Sequence, residues 1–166
     1  MGARDLFFVE PTGVGVGAIG EPGARIFYLQ ARDDERTISF KLEKQQVAQL
    51  CAWLVSELSG LERAAEDAPP AVLHEPVAAV WTIGPMGVAY DADSDTFLIE
   101  ATEIVAEDAD DEPAIARIRM SRAQAVALAV HGLAAVSAGR PPCPFCELPL
   151  SDEHVCPRSN GKRPHP

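Results

Sequence analysis

The 166-residue chain carries 14 basic and 25 acidic side chains, a net charge of −11, and 47% hydrophobic residues. That length suits one compact domain with a short appendage, large enough to build a core without disulfides. The acidity argues against a general nucleic-acid or anionic-membrane binder, because both need a basic footprint.

No apolar run approaches the roughly 18 residues of a membrane span. The opening Met1-Gly2-Ala3-Arg4-Asp5-Leu6 has no apolar signal core, so a reduced, cytoplasmic protein is expected. In chain order, residues 14–19 are β-branched and small, and 25–31 are rich in strand formers. Glu21-Pro22-Gly23 between them reads as a hairpin turn. After a turn at Asp33-Asp34-Glu35, residues 37–42 alternate Ile38, Phe40 and Leu42 with polar neighbours, the period of a half-wet strand. Val47, Leu50, Cys51, Leu54, Leu58 and Leu61 then follow helical spacing, and Gly60 helps to end that helix.

Residues 62–77, with Pro69-Pro70, read as a linker. Strands are expected again at 78–90, kinked at Gly84-Pro85, at 96–105 and at 115–120. Ser121-Arg122-Ala123-Gln124 is a capping box opening a second helix, with Val126, Ala129, Val130, Leu133 and Val136 on its apolar face. Met1–Pro11 carries no readable signal.

The two halves match. At an offset of 70, Gly17 falls on Gly87, Phe27 on Phe97, Leu29 on Ile99 and Ala31 on Ala101. At 78, Leu42 falls on Met120, Gln46 on Gln124, Leu50 on Leu128 and Ser59 on Ser137. The expected fold is therefore α+β: internally duplicated β-β-β-α units (13–61 and 78–138), antiparallel sheet or sheets with two helices on one face, and a short zinc-ribbon-like tail at 140–166.

That tail holds the sharpest motif. Cys143 and Cys146 have the spacing of a metal knuckle, and His154 and Cys156 complete a Cys₃His set for one tetrahedral Zn²⁺. Leu148, Leu150 and Val155 are too few to fold the tail unaided, so metal would supply the missing free energy. A CxxC redox pair is the lesser reading, since Pro141-Pro142 does not set up a strand before a helix. Gly15-Val16-Gly17-Ala18-Ile19-Gly20 matches G-x-G-x-x-G, but a turn and a strand follow where a phosphate-binding helix is required, so backbone approach explains the glycines better. Asp91-Ala92-Asp93-Ser94-Asp95 lacks the Gly and Glu of a calcium loop and reads as a hairpin turn.

Arg25, Lys41, Lys44, Arg117, Arg119, Arg122 and Arg140 stand in or beside strands and helix starts, where solvation of the outer sheet face accounts for them most simply. If the helix starts converge, Lys41, Glu43, Gln46, Arg119 and Gln124 would form a site for a phosphorylated or carboxylated small molecule. His131, Trp53 and Trp81 read as packing residues, and no catalytic constellation is visible.

Several blocks together resemble a known family: Phe27-Tyr28-Leu29-Gln30-Ala31-Arg32, Leu42-Glu43-Lys44-Gln45-Gln46-Val47, Ala138-Gly139-Arg140-Pro141-Pro142-Cys143-Pro144-Phe145-Cys146, and the ending from His154 to Gly161. They are similar to an uncharacterised actinobacterial family, the domain of unknown function 3090 family, over about residues 13–161. The resemblance implies no activity. It implies a protein partner in a shared pathway or complex, a phosphomutase-like histidine phosphatase or a lipid-kinase-like protein. The leading expectation is a zinc-binding adaptor module, and the alternative is an enzyme or binder for a small anionic metabolite. Nucleic-acid contact through the tail is a weaker third reading.

Overall fold

The computed structural model describes residues 5–61, 69–107, 111–139, 143–146 and 157. The strands are β1 (Leu6–Phe8), β2 (Gly13–Ile19), β3 (Ile26–Arg32), β4 (Thr37–Leu42), β5 (Ala79–Asp91), β6 (Thr96–Glu103) and β7 (Ile115–Ser121); helix α1 spans Lys44–Ser59 and α2 spans Arg122–Ser137. They form one seven-stranded sheet in the order β1-β7-β6-β5-β4-β3-β2. The α+β class holds, but the expected antiparallel sheet is a mixed one: β1 runs parallel to β7, and β4 parallel to β5. The second parallel pair has a simple cause. Helix α1 carries the chain back along the sheet, so β5 starts from the end at which β4 started.

The sheet cannot be flat. Strands β1 and β2 stand at its opposite edges, yet only residues 9–12 join them. An extended chain from Phe8 to Gly13 reaches about 18 Å, whereas seven flat strands would set the edges roughly 29 Å apart. The sheet therefore curls until its edges approach. Arg36, in the β3–β4 turn, donates to the Phe7 carbonyl at 2.8 Å and lies 4.5 Å over the Phe8 ring.

Both helices fill the hollow. In α1, Val47, Leu50, Cys51 and Leu54 are buried, as the spacing predicts. In α2 the buried residues are Ala125, Leu128, Ala129 and Gly132, while Val130 is 66% and Leu133 40% exposed. The predicted α2 face is thus rotated. A Cβ on Gly132 would collide with Cys51 Sγ, so small side chains decide which face meets α1 and let the two helices cross closely. Burial pushes the Cys51 thiol up to about 11. Cys51 meets Leu128 and Gly132 near mid-helix, while Lys44 at the start of α1 reaches Gly139 just past the end of α2. The helices are therefore antiparallel.

The opposite sheet face explains the glycine-rich strand. A Cβ on Gly15 would run into the Val72 carbonyl, and one on Gly17 would lie 3.1 Å from the Leu73 side chain. Val16 donates its amide to the Ala71 carbonyl at 3.0 Å. Gln30, 2% exposed, exchanges two hydrogen bonds with the His74 backbone at 2.9 and 2.8 Å. The described part of the expected linker is thus a strap that covers the edge of β2, and bare backbone there admits it.

After β1, the order β-β-β-α occurs twice. Phe27 faces Leu42 across β3–β4, and Phe97 faces Met120 across β6–β7, the positions matched by the offsets of 70 and 78. The first hairpins differ. Gly17 faces Tyr28, but Gly87 faces Glu100, two residues beyond the equivalent Leu98.

Candidate functional site

The helix starts share one device. Gln46 Oε1 accepts the Glu43 amide at 2.7 Å, and its Nε2 donates to the Gly84 carbonyl at 2.7 Å. At α2, Gln124 Oε1 accepts the Ser121 amide at 3.0 Å, its Nε2 donates to the Pro11 carbonyl at 2.7 Å, and Ser121 Oγ accepts the Gln124 amide at 3.2 Å. Each glutamine caps its own helix and ties it to a neighbouring chain segment.

Because the helices are antiparallel and each has 16 residues, their starts lie at opposite ends of a pair about 24 Å long. The site expected where they converge is accordingly divided. Lys41 and Glu43 line one cavity at the start of α1. Gln46 is turned towards β5 and Gln124 towards Pro11. Arg119 stands on β7 opposite Leu98, where its charge helps to lower the Asp91 pKa.

At the start of α2 a cation is fully met. Arg122, the first helical residue, directs Nη2 to Asp95 Oδ1 at 2.7 Å and Nε to the same oxygen at 3.1 Å. The Tyr90 hydroxyl donates to that oxygen at 2.8 Å. Asp95 immediately precedes β6 with φ of 52°, a left-handed turn position that Asp tolerates. The hydrogen bond to Asp95 raises the Tyr90 pKa, and the one between Arg122 and Asp95 raises that of Arg122. Asp91 is held below the usual carboxylate range, first by the Ser94 hydroxyl and then by backbone amides of the turn.

At the start of α1 the corresponding places hold like charges. Arg25 immediately precedes β3, and Lys44 is the first residue of α1. Lys44 Nζ and Arg25 Nη2 lie 3.3 and 3.4 Å from the point where a Cβ on Gly139 would sit. Neither they nor Lys41 has an ion-pair partner among the described residues. Two cations this close repel by on the order of 1 kcal/mol in partly solvated surroundings. Lys44 also sits at the positive end of the helix dipole, the end that favours anions, and no acid occupies the first turn. Together with Glu43 the three cations line a cavity of about 510 Å³, and the Phe27 ring, 5.6 Å from the Arg25 guanidinium, supports one wall.

A second cavity of about 490 Å³ shares Arg25 with the first in its lining and runs along the end of α2, lined by Gly17, Glu75, His131, Ala134 and Ala138 among others. In the sequence Arg25 and Lys44 stand among scattered surface cations. Comparing Arg25 with Asp95 at the offset of 70, and Lys44 with Arg122 at 78, would have singled them out.

Of the expected metal set, Cys143, 1% exposed, precedes the turn at 144–146, and the half-buried Cys146 ends it. His154 and Cys156 lie outside the described residues. Among the described residues, no three His, Cys, Asp or Glu side chains gather as a metal-holding group. No described helix is long and apolar enough to cross a membrane.

No curated protein and no solved structure matches the chain. A family model described as protein of unknown function (DUF3090) matches residues 7–156, most of the chain and all of the sheet but Leu6. The sequence resemblance and this match agree, and the chain belongs to the DUF3090 family.

Proposed function

We propose that the protein binds a phosphorylated or carboxylated small molecule in the cleft between the start of α1 and the end of α2. One observation carries this reading: Arg25 and Lys44 face each other over Gly139 with no ion-pair partner among the described residues. Local rules broken without internal compensation are a mark of functional places. The reading keeps Lys41 and Glu43 from the expected ligand set and replaces Gln46, Arg119 and Gln124 with Arg25 and Lys44. Thermal-shift screening with phosphorylated and carboxylated metabolites tests it, since a ligand that binds only the folded chain raises its melting temperature. No stabilisation at millimolar concentrations would contradict it.

The tail supports a second role. Cys143 and Cys146 at the two ends of one turn suit a zinc knuckle, with His154 and Cys156 as the remaining donors. A closed four-ligand site is structural, so the tail would serve as an adaptor towards a protein partner, with the phosphomutase-like or lipid-kinase-like proteins as first candidates. Elemental analysis should find about one zinc per chain, lost when all four donors are replaced. We also read the two β-β-β-α runs as copies of one unit, supported by the matching β3–β4 and β6–β7 registers and by the shared glutamine cap.

A further inference from the structure

We infer that the ligand is a phosphate monoester with a flat, largely apolar body, its phosphate in the cation cleft and its body in the adjoining cavity. This rests on the cleft reading above and narrows it in two ways.

The first concerns charge. Three cations and one carboxylate line the cleft, an excess of two positive charges. A phosphate monoester carries about −1.5 to −2 at neutral pH and offers three acceptor oxygens. A single carboxylate would leave a cation unmatched. Arg25, just before β3, and Lys44, the first residue of α1, approach the same point, a geometry that fits a tetrahedral anion with oxygens directed to both.

The second concerns shape. Arg25 lines both cavities, so a phosphate bound to it has its ester oxygen next to the second one. That space of about 490 Å³ is bounded by Gly17 of β2, by the short side chains of Ala134 and Ala135 of α2 and Ala138 just past it, and by the apolar Leu73 and Val77. His131 and Glu75 line it as well and provide hydrogen-bonding partners for a polar substituent on the body. Each cavity falls within the range of small-ligand sites, roughly 300–1,000 Å³.

Titration calorimetry on the full chain at constant ionic strength tests this with inorganic phosphate, phenyl phosphate and phenol. Phenyl phosphate should bind about tenfold tighter than inorganic phosphate, because burying the ring adds apolar contact. Phenol should bind more weakly than either. Ala134→Leu, at an exposed position of α2, and Ala138→Leu, at the exposed residue just past its end, should abolish the phenyl advantage and leave phosphate affinity unchanged. Equal affinities for phosphate and phenyl phosphate would overturn the two-cavity inference while leaving the cleft reading intact. Phenol binding as tightly as phenyl phosphate would also overturn it. Binding of none of the three would remove the cleft reading as well.

Discussion

The starts of α1 and α2 are built alike up to the point of charge. In each, a strand leads through a capping residue into the helix, the third helical residue is a glutamine that caps and cross-ties, and the first is a cation. In each, the residue before the middle strand of the half comes close to that cation. At α2 this residue is Asp95, which accepts two hydrogen bonds from Arg122 and one from Tyr90. At α1 it is Arg25, and the site is left with surplus positive charge beside a cavity. A shared framework thus shows what a closed version looks like. That difference is why we propose the start of α1 as the functional end, where Arg25 and Lys44 have no ion-pair partner among the described residues.

The comparison can be broken by exchanging the charges. Asp95→Lys would give α2 the like-charge arrangement of α1 and remove the hydrogen bonds from Arg122 and Tyr90 at once. This change should have the largest effect, lowering the melting temperature by several degrees in thermal denaturation, and added phosphate should restore part of the loss. Gln46→Ala and Gln124→Ala test the shared framework. Each removes a cap and a cross-tie, so each should cost about 1–2 kcal/mol in urea unfolding. Closely similar costs would sharpen the comparison, and an effect at only one end would weaken it.

Arg25→Asp makes the opposite exchange. An ion pair with Lys44 would replace the repulsion, and without phosphate the protein should gain about 0.5–1 kcal/mol, less at high salt. The smallest effect concerns pH. Asp91 has a lowered folded-state pKa, so its contribution is present above the unfolded value of 3.8 and is lost as pH falls through the folded one. Asp91→Asn should therefore flatten the acid limb of the stability curve below about pH 4, as followed by circular dichroism.

Much of the framework was legible in the sequence because it rests on local signals. Alternation placed β4, helical spacing placed the buried face of α1, and Ser121 with Gln124 marked the start of α2. The α2 face was misread for a physical reason: the helix is apolar nearly all round, so Gly132 and its alanines, rather than the larger side chains, choose the contact. Strand β1 is too short for a period, and the parallel pairings depend on partners far apart in sequence. The candidate site divides the same way. Lys41 and Glu43 could be picked out beside a helix start, but the cleft exists only because the antiparallel helices bring Gly139 to Lys44. No local pattern encodes that meeting.

The most direct test measures phosphate-dependent stabilisation of the wild-type chain beside Arg25→Asp at one ionic strength, with chloride as the control anion. The account predicts that millimolar phosphate raises the wild-type melting temperature by several degrees and leaves that of Arg25→Asp unchanged. Equal responses from the two proteins, or none from the wild type, would contradict it.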